Sequence, residues 1–285
     1  MKKPPWLKKR IPPFQDLQKV KSILDGADLH TVCEEARCPN LGECFSRGTA
    51  TFLILGRVCT RNCGFCAVEN GIPVPADETE PEKVAQAVQK MGLQYVVITS
   101  VTRDDLPDGG ASLFAKTIQS IHTLDAKIKV EVLIPDFQGD PTSLNVVLRE
   151  DPDVLNHNIE TISRLYPDVR PQADYERSLH LLRKSKELYS HILTKSGLML
   201  GLGETQEEVL ELLRDLRDTG CDFLTIGQYL QPRQDRLPVV RYVTPEEFED
   251  YKRIGEETGF RAVASGPFVR SSFHAFELFK TSVIR

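Results

Sequence analysis

From residue 51 onward, short β-rich runs alternate with helical patterns, and this alternation limits the fold more than any other feature of the chain. Strands are expected at Thr51–Leu55, Tyr95–Thr99, Ile128–Ile134, Val154–His157, a run ending at Leu200, Phe223–Ile226 and Arg261–Ala264. Helical faces recur between them. Val209, Leu212, Leu213 and Leu216 stand at the i, i+3, i+4, i+7 spacing, and Val84, Ala87, Val88 and Met91 form a second such face. Thr205 with Glu208 predicts a capping box. Thr244-Pro245-Glu246-Glu247 predicts an N-cap, a proline at the first helical position and acids at the positive dipole end. Strand–helix alternation implies parallel strands joined by right-handed crossovers. About six such units suit an incomplete barrel or a doubly wound sheet, with the ligand site at the C-terminal strand ends.

Composition narrows the class. Of 285 residues, 40% are hydrophobic and 27% charged, which excludes a disordered chain, a coiled coil or a collagen. The net charge of −5 gives no global attraction to nucleic acid or anionic lipid. No apolar run reaches the roughly 18 residues of a transmembrane helix. The start, MKKPPWLKKR, is basic but no apolar stretch follows it, so a secretory leader is not expected and a cytoplasmic location is. Lys2, Lys3, Lys8, Lys9 and Arg10, interleaved with prolines, read as a solvated, partly extended arm, or as a basic patch for an acidic partner.

The seven cysteines are too few for a disulfide scaffold, and six of them lie between positions 33 and 66. In a reducing compartment such clustering points to metal ligation or redox chemistry. Cys59-Thr-Arg-Asn-Cys63-Gly-Phe-Cys66 directly follows the first strand. Three thiolates from one short loop can hold three irons of a [4Fe–4S] cluster and leave the fourth open. A zinc site or unrelated core thiols are the alternatives. Cys33-Glu-Glu-Ala-Arg-Cys38-Pro-Asn-Leu-Gly-Glu-Cys44 is a second triplet, and soft thiolates there suit an iron–sulfur cluster or zinc equally well. Cys221 stands apart and reads as a buried structural thiol.

The C-x3-C-x2-C run, with Phe65 before its last cysteine, resembles the radical S-adenosylmethionine (SAM) superfamily. Its pairing with the C-x4-C-x5-C triplet resembles the lipoyl synthase family. Val269-Arg270-Ser271-Ser272-Phe273-His274-Ala275 resembles that family's Arg-Ser-Ser-Tyr element, with Phe273 where tyrosine is usual. The resemblance spans about residues 30–275. It implies an α/β fold of the incomplete (β/α)6-type TIM barrel, with N-terminal and C-terminal extensions. Residues 1–50 would carry auxiliary-cluster ligands, 51–267 the partial barrel, and 268–285 a serine ligand.

The resemblance also implies two [4Fe–4S] clusters and SAM as cofactors. Cys59, Cys63 and Cys66 would hold the cluster that binds SAM. Cys33, Cys38, Cys44 and Ser272 would hold an auxiliary cluster that donates sulfur, which gives Ser272 a part in the reaction. Gly109 and Gly110 align with the loop near the methionyl amine. Gly201 and Gly203 resemble the ribose and adenine side, and Asn158 and Glu160 suit contacts to nucleotide or substrate. His157 reads as structural, and the acids of Thr102-Arg103-Asp104-Asp105 could orient polar groups or simply start a loop.

The implied reaction is radical insertion of two sulfur atoms at C6 and C8 of a protein-bound N6-octanoyl-lysine, a sulfurtransferase activity. Implied partners are octanoylated lipoyl-carrier domains, an electron donor such as ferredoxin or flavodoxin, and a cluster-repair protein, with no nucleic acid and no membrane. Biotin-synthase-like sulfur inserters and methylthiotransferases lack the second triplet paired with the terminal element. An electron-transfer protein with two clusters would show no nucleotide affinity.

Overall fold

The computed structural model describes residues 2–9 and 12–283; Arg10 of the basic arm lies outside them. The chain divides into two compact units. One comprises Arg10–Arg61 and Ala67–Leu155, the other Met1–Lys9, Asn62–Cys66 and Asn156–Arg285.

The first unit begins with α1 (Phe14–Asp25), β1 (His30–Thr31), α2 (Val32–Glu35) and α3 (Leu41–Ser46). There follow β2 (Thr51–Ile54), β3 (Val58–Cys59), β4 (Glu69–Asn70), α4 (Glu80–Met91) and β5 (Tyr95–Ser100). It ends with α5 (Ala111–Leu124), β6 (Lys129–Leu133), α6 (Pro141–Leu148) and β7 (Val154–Asn156), on which the chain leaves the unit. β2, β5 and β6 are parallel neighbours, and β1 pairs antiparallel with β2 through His30↔Leu53. Every residue of β2 is buried, as expected for a strand covered on both faces. The α4 face predicted from the sequence is the one that packs: Val84, Ala87 and Val88 are at most 1% exposed, and Gly92 ends the helix in the left-handed region.

The second unit contains α7 (Tyr166–Val169), α8 (Tyr175–Leu188), β8 (Leu193–Leu200), α9 (Gln206–Asp218), β9 (Phe223–Gln228), α10 (Pro245–Thr258), β10 (Ala262–Gly266) and α11 (Ala275–Val283). β8, β9 and β10 are parallel, with Gly197 opposite Thr225 and Ala264 opposite the same threonine. The predicted capping box of Thr205 with Glu208 forms, and the predicted N-cap Thr244 goes further, making a capping box with Glu247. Val209, Leu212, Leu213 and Leu216 are buried in the core of this unit. Cys221 is fully buried there, and burial pushes its thiol up to about 12, as befits a structural cysteine.

The arm differs from its sequence expectation. Pro5–Leu7 form a single 3-10 turn with Leu7 buried, and the Lys9 ammonium stands 4.8 Å from the Phe268 ring centroid and 4.9 Å from that of Phe273. A cation between two aromatic faces offsets the chain entropy that composition alone assigns to a proline-rich tail.

Where β2 ends, Leu55 and Gly56 take φ of 69° and 86°. A left-handed leucine is strained and needs outside support. Glu80, at the start of α4, supplies it by accepting the Leu55 N–H at 2.7 Å. Burial pushes the Glu80 carboxyl up to about 7, with Asp77 adding to the rise, against the Leu55 and Gly56 N–H groups and Lys83. Since the folded value exceeds the ordinary 4.5, stability from the protonated form is complete below that pH and is lost as pH rises toward 7. The loss is on the order of 3 kcal/mol. Urea unfolding of the chain without cofactors should show this slope between pH 5 and pH 8, and Glu80→Gln should flatten it. Equal slopes in the two proteins would refute the assignment.

Candidate functional site

The second cysteine triplet is assembled wholly within the first unit. Thr31 caps α2 by accepting the Glu34 N–H, which sets Cys33 on the first helical turn. The Cys38 N–H then donates to the Cys33 carbonyl at 3.0 Å, and the Cys44 N–H to the Asn40 carbonyl at 2.9 Å. Cys33 is 4% exposed. Burial pushes its thiol up to about 12; the charges of Cys38 and Cys44 add to the rise, while Thr51 opposes it. Three thiols on one short segment, one of them shielded from water, are a soft donor set that fits an iron–sulfur group. Among the described residues no three His, Cys, Asp or Glu side chains are arranged to hold a single metal ion. A cubane asks for a different arrangement, because each thiolate holds its own iron.

The first triplet follows β2. Cys59 ends β3 in the first unit, and its sulfur accepts the N–H groups of Arg61 at 3.4 Å and Thr102 at 3.3 Å. Thr60 ties the loop to the end of β5: its N–H and its hydroxyl both donate to the Thr102 carbonyl, and the hydroxyl accepts the Asp104 N–H. Arg61 is buried between two carboxylates. Nε and Nη2 fork onto Asp104 at 2.7 and 2.8 Å, and Nη2 also reaches Asp136 at 2.6 Å. Asp136 opens a turn in which Phe137, Gln138 and Gly139 all have positive φ. Burial alone would weaken the hold on the Arg61 proton, but the hydrogen bonds to Asp104 and Asp136 reverse that and raise its pKa. One of the acids flagged in the sequence, Asp104, thus orients a polar group. The other, Asp105, pairs with Arg103.

Cys63 and Cys66 belong to the second unit. Gly64 donates its N–H to the Val169 carbonyl, and its own carbonyl accepts from Leu237. A Cβ there would stand 2.8 Å from both the Asp168 carbonyl oxygen and the Leu237 side chain, so the middle of the run must be glycine. Phe65 packs on the core of that unit.

The glycine pairs are used differently. Gly109 and Gly110 both have positive φ, and Cβ atoms on them would strike Phe137 and Leu55. Asp108 accepts the Gly110 and Ser112 N–H groups; burial works against its ionisation, but these donors hold its pKa low. Gly201 has a φ of 100°, and a Cβ there would meet Gln228 and the Arg241 carbonyl. Gly203, with φ of 111°, has nothing closer than Val240 at 3.8 Å. The Glu204 carboxylate closes this turn by accepting the Gly201 and Leu202 N–H groups at 2.6 and 2.9 Å.

Asn158 and Glu160, two residues apart, are hydrogen-bonded, with Asn158 Nδ2 donating to Glu160 Oε1 at 3.0 Å. Crowding by the surrounding protein pushes the Glu160 carboxyl up, against the pull of Arg170. Arg170 donates to the Asn158 carbonyl at 2.9 Å. His157 is buried, with its N–H on the Lys195 carbonyl. Ser272 lies in the same unit, in the turn closed by the Phe273 N–H on the Arg270 carbonyl. Sequence reasoning passed over Arg61, Glu204 and Ser271. Arg61 stood in view between two cysteines, but nothing local named its two acids.

The comparisons with known proteins identify the family. A family model described as "Radical SAM superfamily" matches residues 53–216, and one described as "N-terminal domain of lipoyl synthase of Radical_SAM family" matches residues 1–38. The second match takes in the basic arm. Lipoyl synthase of Caldanaerobacter subterraneus subsp. tengcongensis is 58% identical over 275 residues, 96% of each chain. That of Haemophilus influenzae is 54% identical over 279 residues, covering 96% of this chain and 87% of its own. Among solved structures, methylornithine synthase has a TM-score of 0.54 at 13% identity, over 77% of this chain and 72% of its own. HydG, a maturase of the [FeFe]-hydrogenase, has a TM-score of 0.56 at 16% identity, over 84% and 63%. Such identities speak to fold alone, and they support the α/β, incompletely barrelled class expected from the alternation. No helix among the described residues is long and apolar enough to cross a membrane. Identity above half over almost the entire length decides the matter: the chain belongs to the lipoyl synthase family of the radical SAM superfamily.

Proposed function

We propose that this chain carries out its family's sulfur insertion with Cys59, Cys63 and Cys66 holding the SAM-binding [4Fe–4S] cluster and Cys33, Cys38, Cys44 and Ser272 holding the auxiliary one. The family reaction places two sulfur atoms at C6 and C8 of an octanoyl-lysine on a lipoyl-carrier protein, with SAM and two [4Fe–4S] clusters as cofactors. In this reading residues 1–50 carry auxiliary ligands, 51–267 the radical chemistry and 268–285 the serine ligand. Ferredoxin or flavodoxin serves as electron donor, a separate protein restores the auxiliary cluster, and the work is cytoplasmic. The observation that carries the reading is the gathering of Cys33, Cys38 and Cys44 on one short, hydrogen-bonded segment, with Cys33 buried and the other two half-buried.

When bound, these cofactors supply a carbon-centred radical able to take hydrogen from an unactivated C–H bond, and the sulfur that replaces it. The chain's own residues bind and orient. Cys59 is fixed by two N–H donors, and Gly64 lets the loop lie against its neighbours without a side chain. Asn158 and Glu160 present a polar pair to the nucleotide, and Gly203, with nothing closer than 3.8 Å to its Cβ position, lets it approach the Gly201–Gly203 turn. Ser272 supplies an alkoxide-type oxygen, a harder donor than thiolate and one that protonation releases more readily.

Anaerobic reconstitution followed by reaction with an octanoyl-lysine peptide tests the whole. The chain should take up about eight irons, and combined Cys33→Ala, Cys38→Ala and Cys44→Ala replacement about four. Ser272→Cys should keep about eight irons and still cleave SAM, but should form no dithiolane. Full turnover by that variant would sink the role given to Ser272.

Arg61 acts as a positioning residue for the Cys59 loop. Arg61→Ala leaves Asp136 buried, and Asp104 half-buried, without their cation, which should cost about 3 kcal/mol in unfolding of the cofactor-free chain. Arg61→Lys should cost less, but it loses the fork to Asp104 and so retains less iron after reconstitution than the parent protein. Unchanged stability and iron content in both variants would remove Arg61 from the site.

A further inference from the structure

Ser271, one residue before the serine assigned as a ligand, makes a contact that the function above does not use. Its hydroxyl donates to Asn158 Oδ1 at 2.8 Å, across 113 residues of sequence. The Glu160 carboxyl group takes the Nδ2 end of the amide, which donates to its Oε1 at 3.0 Å, and this leaves Oδ1 to accept from the Ser271 hydroxyl, which anchors that end. The opposite orientation would set the amide oxygen against the Glu160 carboxyl group. The rest of the pair is already rigid. Glu160 sits at a φ of 65°, with its N–H on the Gly197 carbonyl and its carbonyl accepting from Met199, each at 2.9 Å. Gly197 makes room for the contact. A Cβ there would stand 3.0 Å from Asn158 Oδ1, 3.2 Å from Ser271 Oγ and 2.4 Å from Thr225 Oγ1.

We propose that Ser271 is a positioning residue: by locking the Asn158 amide it holds the Glu160 carboxyl group ready for the nucleotide, and so ties the terminal Arg-Ser-Ser-Phe element to the nucleotide side of the site. The proposal rests on the reading of Asn158 and Glu160 as SAM contacts. The hydroxyl touches neither SAM nor iron and acts through Asn158.

The test is the dissociation constant of SAM, measured by equilibrium dialysis on the anaerobically reconstituted chain, with iron counted in each sample. Ser271→Ala should keep about eight irons and bind SAM about tenfold more weakly. Ser271→Thr, which retains the hydroxyl, should recover affinity to within about threefold of the parent. The double variant Ser271→Ala, Asn158→Ala should bind no more weakly than Asn158→Ala alone, because both changes break one relay. A merely structural serine would instead give additive losses. If Asn158→Ala weakens SAM binding and Ser271→Ala leaves it within about twofold, the proposal is overturned while the reading of Asn158 stands. If neither variant shifts the affinity, that reading fails and the proposal with it. Loss of iron in Ser271→Ala also overturns it, because the residue would then serve cluster retention.

Discussion

Arg61 stands between Cys59 and Cys63 in the chain, with its guanidinium shared by Asp104 and Asp136 almost out of reach of water. Much else follows from this buried ion pair. An isolated buried charge costs several kcal/mol, so the three groups must stay together once the unit has formed. Their backbones lie at the exits of three parallel strands, β2, β5 and β6. The pair therefore fixes the first cysteine of the run relative to two strand ends, and the Thr60 and Thr102 contacts fix it further. Cysteine itself has little means of fixing a loop, because a thiol is a weak hydrogen-bonding group. A loop rich in thiols therefore depends on other groups to fix it, and here an ion pair does so.

The second triplet meets the same need by other means. Short helices and a capped turn, rather than an ion pair, bring Cys33, Cys38 and Cys44 together under partial burial. Burial holds the Cys33 thiol protonated there, against the pull of Thr51. The terminal element adds a third solution: Ser271 is held by Asn158, and Phe273 faces the Lys9 ammonium. The loss of a phenol at Phe273 leaves an aromatic face, and a cation has been placed on it.

Much of the fold was legible. Alternating patterns placed the seven main strands within a residue or two, and the Thr205 capping box and the Thr244 N-cap were readable because capping is decided within four residues. Cys221 was correctly read as a core thiol from its lack of neighbours. The basic arm was legible in part: Lys2, Lys3 and Lys8 are exposed as read, but the contacts of Lys9 with Phe268 and Phe273, far away in sequence, could not be read from it. Ends of elements shifted where backbone strain intervened, as at Leu55, which leaves β2 in the left-handed region against its residue type.

By itself the sequence determined the chemistry available: two triplets of soft donors at short spacing, an Arg-Ser-Ser-Phe element and a run of parallel-strand units. These are local facts, because ligand type and hydrophobic period are written in adjacent residues. Tertiary structure alone decided which charged and polar groups meet. Arg61 finds Asp104 and Asp136 at separations of 43 and 75 residues, and Ser271 finds Asn158 at 113. Such partners are chosen by strand order and by which loop emerges at which strand end. No local periodicity records that, since a buried charge or hydroxyl bonds to whatever the fold delivers within about 3 Å.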